Sequence, residues 1–372
     1  MEKLEQDILT KVDEISEQMF AAIKEIVQIK SVRGESLPEA PFGQGPKQAL
    51  DAVLKLAQEL GFTTTNVDNY AGFASYGTVN DADYVGIMGH LDVVPEGTGW
   101  KHDPYSAYEE DGFIYGRGIL DNKGPILSCL FALYALKELG IKLNHEVRII
   151  FGCNEETGFG DIKYYLSKHQ PPIWGFTPDC KYPVVYGERG RAVVKITSES
   201  NDLNQFFKLI NTYILNAKNN GERFGIDFKD QEFGLLEVRN YELLNEAMPA
   251  VKFSVSYPAS CTPKEILANI AKAIGSGYQV ELLDNYNPVK FEKDCFLVKT
   301  LVETYEKVTG NDGTPVTTTG GTYAKMMPNI VPFGPSFPGQ KGIGHQPNEW
   351  MTKADLLTNA KIYALSLYHL AK

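Results

Sequence analysis

Two short segments, Gly89-His90-Leu91-Asp92 and Asn154-Glu155-Glu156, bracket Gly116-Arg117-Gly118-Ile119-Leu120-Asp121, and Asp179 and His345 follow further along the chain. Together they offer enough imidazole nitrogen and carboxylate oxygen for two adjacent metal ions. Such donors suit zinc, and oxygen-rich mixed sites also accept manganese or cobalt, so the chemistry indicated is hydrolysis at a metal centre, not thiolate or redox chemistry. Each residue alone has an ordinary use. A lone His at a strand end is usually a hydrogen-bonded structural residue, and a lone Asp before a helix is usually its N-cap. The combination argues otherwise, because His90-x-Asp92, Gly116-x-Gly118-x-x-Asp121-x-Lys123-Gly124, Glu155-Glu156 and Pro178-Asp179 all stand at loop positions after apolar segments.

The elements that would position these residues can be read from periodicity. Ala49, Leu50, Val53, Leu54, Ala57 and Leu60 recur at helical spacing and Gly61 follows as a stop, which predicts a helix over 46–60. Tyr84 to Met88 reads as a short buried strand with His90 just past it. Lys123 to Leu139, with Pro125 near its start and Gly140 after it, predicts an almost wholly buried helix. Glu146 to Phe151 alternates and is β-branched at Val147, Ile149 and Ile150, a strand running into Cys153-Asn154-Glu155-Glu156. Chemistry clustered at strand ends in a helix-strand alternation is the signature of an α/β sheet with a crevice above its carboxyl edge. Between Arg191 and Pro288 the pattern changes. Strand (192–196), helix (203–215), strands (228–238 and 251–257), helix (262–274) and strand (278–283) form an α+β unit of ferredoxin-like type. Helical patterns over 294–308 and 352–370 then return to the first style. The expected organisation is a central sheet flanked by helices in a catalytic domain of residues 1–187 and 289–372, with a shortened lid domain at 188–288.

Composition narrows the function classes. The chain has 372 residues and a net charge of −11, and no Lys/Arg stripe could neutralise phosphates, so nucleic acid is an unexpected partner. Five cysteines without a C-x-x-C pairing suit a reducing cytosol. Cys153 and Cys180 flank candidate ligands but read as structural thiols. Residues 1–20 carry charges where a secretory leader needs an apolar core, and no stretch approaches the roughly 18 to 20 apolar residues of a membrane span. The expectation is a cytoplasmic protein without membrane contact, monomeric or homodimeric. His102, His145, His169 and His369 read as surface residues. Gly116-x-Gly118 lacks the third glycine of a dinucleotide fingerprint.

Beyond these motifs the chain resembles the di-metal amidohydrolase and peptidase family of aminoacylases, carboxypeptidase G, acetylornithine deacetylases, succinyl-diaminopimelate desuccinylases and bacterial dipeptidases. The likeness is carried by Gly89-His90-Leu91-Asp92-Val93-Val94-Pro95, by Tyr115-Gly116-Arg117-Gly118-Ile119-Leu120-Asp121-Asn122-Lys123-Gly124, by Asn154-Glu155-Glu156-Thr157-Gly158 and by the late His345. Pro178-Asp179, the run from Tyr182 to Glu188, and Gly320-Gly321-Thr322-Tyr323-Ala324 look most like the cytosolic dipeptidases. The resemblance implies a metallopeptidase-type catalytic domain with an inserted lid and two divalent ions, zinc first and manganese or cobalt as alternatives. It implies that His90 and Asp179 hold one ion, Glu156 and His345 the other, and that Asp121 bridges them. Asp92 would accept the second N–H of His90. Glu155 would be the general base for a metal-bridging hydroxide that cleaves a peptide bond in a small peptide, a dipeptide above all. The alternatives are an N-acyl amino acid deacylase or desuccinylase, and a catalytically weak homologue that binds metal or peptide.

For the substrate carboxylate, Gly320, Gly321 and Thr322 could offer main-chain or hydroxyl groups and Lys325 a charge, the plain alternative being a glycine-rich turn. One departure from the family stands out. Relatives place a lid histidine against the oxyanion, whereas this chain has no His between Lys181 and Gly344. Arg189 and Arg191, on the strand entering the lid, are the nearest substitutes, with Tyr323 a further one. The plain alternative for both arginines is pairing with surface carboxylates.

Overall fold

The computed structural model describes residues 2–78 and 82–372. It divides into two compact units, one of Met1–Val185, Glu292–Pro315 and Thr322–Lys372, the other of Tyr186–Phe291 and Val316–Gly321. In the larger unit six strands form one sheet in the order Thr63–Val67, Ala71–Tyr76, Glu146–Gly152, Tyr84–His90, Trp174–Thr177, Ile330–Pro332. Tyr84–His90 pairs in parallel with both Glu146–Gly152 and Trp174–Thr177, and only the Thr63–Tyr76 hairpin runs antiparallel at one edge. The carboxyl ends of those three parallel strands therefore share one edge of the sheet.

Every residue of Tyr84–His90 and of Glu146–Gly152 is buried. That is the condition of strands covered on both faces, and it corrects the expectation of alternation over 146–151. Helix Lys123–Glu138 is buried over nearly its whole length and packs on the sheet and on helix Lys353–Ala371, itself capped by the Thr352 hydroxyl. Gly89 is needed where the sheet meets this helix, because a Cβ there would run into Asn122 Oδ1 and Ile126. His90 is the last strand residue, not the first loop residue, since its register with Gly152 extends the ladder by one pair.

The smaller unit follows βαββαβ order. Its antiparallel sheet runs Glu237–Leu244, Ala250–Tyr257, Gly190–Ser198, Tyr278–Tyr286, with helices Leu203–Ile210 and Pro263–Ile274. Alternate residues Ala192, Val194, Ile196, Val251, Phe253 and Val255 face Phe206, Leu209, Ile266 and Ile270 in one core. Two sequence expectations need correction. The strand expected over 228–238 is broken into a short hairpin, because Asp230 Oδ1 accepts the N–H groups of Glu232 and Phe233 and Gly234 takes a φ of 74°. The helix expected over 203–215 is α-helical only to Ile210 and continues as a π turn, Asn211–Leu215. Among the described residues no helix is long and apolar enough to cross a membrane.

Candidate metal centre

All the candidate ligands lie in the larger unit. His90 is fully buried, and its Nδ1 lies 2.8 Å from the main-chain oxygen of Asp92. A carbonyl only accepts, so this bond places the proton on Nδ1 and directs the Nε2 lone pair outward. Nε2 lies 2.9 Å from Asp121 Oδ1 and 3.8 Å from Asp179 Oδ2. His345, at φ 61° and with half its side chain exposed, sits on the other oxygen of Asp121, 3.0 Å from Oδ2, and 2.8 Å from Glu156 Oε1. Asp121 thus stands between the two imidazoles, one on each of its oxygens. Donor atoms of His90, Asp121 and Glu156 lie within 4.8 Å of one another, as do those of His90, Glu155 and Asp179.

Asp92 meets His90 Nδ1 as expected, but more closely through its main chain than through its carboxylate, which has a further task. Its main chain, not its carboxylate, is the close partner of His90 Nδ1; the carboxylate Oδ1 is 3.5 Å from that nitrogen. The carboxylate accepts the N–H of Glu155 at 3.1 Å through Oδ1 and that of Glu156 at 3.2 Å through Oδ2. It fixes the turn on which both glutamates stand.

The electrostatics favour a cation. Burial lifts the carboxyls of Glu155 and Asp179 well above the usual carboxylate range, with Asp179 adding to the effect at Glu155 and Asp121 at Asp179. Glu156 is raised by burial too, although His345 opposes it. His345 is pushed up to about 10 by its hydrogen bonds to Asp121 and Glu156. Four carboxylates crowd two imidazoles, so the site concentrates potential negative charge. Divalent cations would balance it, and nitrogen with carboxylate oxygen is the donor set that zinc, manganese and cobalt accept. The residues fit such ions.

Sequence reasoning missed the buried groups that hold these ligands. Asn122, fully buried, accepts the His90 N–H at 3.2 Å and donates to Pro178 O at 2.6 Å, tying the two strand ends together. Asp161 Oδ2 accepts the N–H groups of Cys153 and Asn154 and the Tyr323 hydroxyl, which anchors the approach to Glu155. Glu349 Oε1 accepts the N–H groups of Gly118, Leu120 and Asp121, while Oε2 lies 2.7 Å from Arg117 Nη1. The only signal for Glu349 was an acid four residues after His345 and next to an apolar strand. Burial, with the charge of Asp121, pushes Glu349 up to about 7. At pH 8 Glu349→Gln is expected to lower stability by about 3 kcal/mol, since it leaves the Arg117 guanidinium buried without its counter-charge. Urea unfolding measures this, and a change under about 0.5 kcal/mol would show the carboxylate to be dispensable.

The residues expected to bind substrate are placed less favourably. Arg189 is buried in the smaller unit, with Nε donating to Phe233 O at 2.8 Å and Nη1 3.4 Å from Glu237. Its guanidinium serves that unit's own fold and not a substrate, and its pairing with the partly exposed Glu237 agrees with the plain alternative of a carboxylate partner. Arg191 is exposed. Gly320 and Gly321 are exposed, and the Gly320 N–H donates to Thr318 Oγ1 in a turn. Thr322 is buried, and its hydroxyl caps the short helix Tyr323–Lys325 by accepting the Ala324 N–H. Lys325 is half-buried. Three of the histidines expected at the surface are half-buried instead. His145 bonds Asp83, His369 bonds Glu5 and His169 packs edge-on to Phe73; only His102 is exposed.

Comparison with known proteins bears on this arrangement. The profile of Peptidase family M20/M25/M40 matches residues 86–369. The Beta-Ala-Xaa dipeptidase of Lactobacillus delbrueckii subsp. lactis is 27% identical over an alignment that covers 94% of this chain and 95% of that protein. Its 452 aligned positions exceed the 372 residues here, so that relative carries segments this chain lacks. Among solved structures, human carnosine dipeptidase 1 superposes with a TM-score of 0.73 at 17% identity, covering 99% of both chains. Dug1p, a dipeptidase of Saccharomyces cerevisiae, superposes with a TM-score of 0.72 at 14% identity, again over 99% of both chains. At such identities these two likenesses establish the fold.

Proposed function

The chain belongs to peptidase family M20/M25/M40, and on that premise we propose that it is a metal-dependent hydrolase whose substrates are dipeptides. His90 and Asp179 would hold one ion, His345 and Glu156 a second, with Asp121 shared between them, zinc the first choice and manganese or cobalt able to replace it. The observation that carries this reading is the placement of the two Nε2 atoms on opposite oxygens of Asp121, at 2.9 Å and 3.0 Å. Bound there, divalent ions supply Lewis acidity and make water a stronger acid. Burial raises the Glu155 carboxyl well above the usual carboxylate range in the metal-free site. Glu155 would take a proton from the water as its oxygen adds to the amide carbon, and would give it to the amine nitrogen as the C–N bond breaks. Asp92 holds the main chain of Glu155 and Glu156 while this happens, and the Asp92 carbonyl keeps His90 in the required tautomer.

The dipeptide preference is supported by the names of the relatives. It is tested by assaying a panel of dipeptides against the matching N-acetyl and N-succinyl amino acids, with zinc, manganese or cobalt added. Dipeptides are expected to lead in kcat/KM by on the order of 10², the scale on which a pocket separates substrates of similar size. A lead for the N-acyl compounds would make the protein a deacylase. Tight metal binding without turnover of any compound would make it a silent homologue.

A further inference from the structure

A pocket of about 200 Å³ in the larger unit adjoins the metal centre and is not used by the chemistry above. Its walls include Leu120, Cys180, Lys181, Ser336, Lys341 and Gly344. Three of these are chain neighbours of ligands: Leu120 precedes Asp121, Cys180 follows Asp179 and Gly344 precedes His345. A Cβ on Gly344 would lie 3.4 Å from Asp121 Oδ2 and 3.8 Å from Leu120 Cδ2, so one bare glycine touches both the pocket wall and the bridging carboxylate. The pocket is also basic. Among the described residues neither Lys181 nor Lys341 has an ion pair, although acidic residues outnumber basic ones 47 to 36 in this chain. Lys181 is half-buried, on a short strand whose register partner is Ser336, another lining residue and a hydroxyl donor. Apart from the ligands Asp121 and Asp179 beside it, an acid is bonded to the lining at Gln340, whose amide donates to Asp355 at 3.0 Å.

A substrate side chain ending in a carboxylate would find two lysines and the Ser336 hydroxyl in this pocket, beside the ligands but not among them. The volume holds a carboxymethyl or carboxyethyl group and a few waters, each with a share of about 30 Å³. We propose that this pocket is the subsite for an acidic side chain of the substrate, with Lys181 and Lys341 supplying its positive charge. The proposal rests on the dipeptidase reading, and it makes this chain selective for dipeptides that contain Glu or Asp.

The test compares Ala-Glu and Glu-Ala with Ala-Gln and Gln-Ala on the metal-loaded protein. In the better orientation the ratio of kcat/KM, Glu over Gln, is expected to be about fivefold or more, the scale of a partly exposed charge pair, and to shrink in 0.5 M NaCl. In the double variant Lys181→Met, Lys341→Met the ratio should fall to about 1, and Lys181→Glu with Lys341→Glu should shift preference to dipeptides that contain Lys. The use of a ratio cancels any general loss of activity or stability in the variants. A wild-type ratio of 1 or less in both orientations overturns the proposal, and so does a larger ratio that the variants leave unmoved. If no dipeptide is cleaved, the dipeptidase reading has failed. Calorimetry with the same four peptides then decides the subsite separately, equal affinity for the Glu and Gln peptides overturning it.

Discussion

Glu155→Gln is expected to keep its metal and lose roughly 10²- to 10⁴-fold in kcat, the share that general base catalysis supplies. The substitution preserves size and removes basicity. Its main-chain anchor on Asp92 Oδ1, 3.1 Å away, does not involve the side chain, so the Glu155–Glu156 turn should survive. Turnover of the best dipeptide and elemental analysis after dialysis, measured together, separate the possible roles. Wild-type turnover would remove Glu155 from the mechanism. Lost metal would instead make Glu155 a ligand, an outcome its closeness to His90 and Asp179 makes worth measuring.

Asp121→Ala should have the larger effect on metal. Both imidazoles orient on this one carboxylate, through Oδ1 for His90 and Oδ2 for His345. Removing even an outer hydrogen-bond partner of a ligand commonly costs 10- to 100-fold in affinity, so loss of the bridge should cost at least about 100-fold, and activity with it. Zinc, manganese and cobalt content after dialysis, with Asp121→Asn as the isosteric control and thermal unfolding to verify the fold, measure the effect. Unchanged metal and activity in Asp121→Ala would show that Asp121 does not bridge.

Much of this centre was legible in the chain because the relevant physics is local. An apolar run ending in His90-Leu91-Asp92, another ending in Asn154-Glu155-Glu156, and Asp121 just ahead of a buried helix each announce a polar side chain at the end of a buried element. The residue types alone select a hydrolytic metal over a redox one. The ferredoxin-like order of the smaller unit was legible for the same reason, since alternation along Ala192, Val194 and Ile196 needs only the pleat of a strand.

What only the tertiary structure decided is which oxygen meets which nitrogen, and which polar groups serve the ligands. Asp92 looked like the partner of His90 because the two are close in sequence. Folding turned its carboxylate toward amides more than 60 residues away and left its carbonyl to the imidazole. Arg189 looked like a cation free to meet substrate, and packing spent it on Phe233 and Glu237. Asp161 and Glu349 carried no periodicity or motif that marked them, and Asn122 stood inside a motif without an assigned role, because these roles come from burial among main-chain groups that must be satisfied once water is excluded. Sequence specifies donors by type and by place along the chain; burial decides which partners remain for each of them.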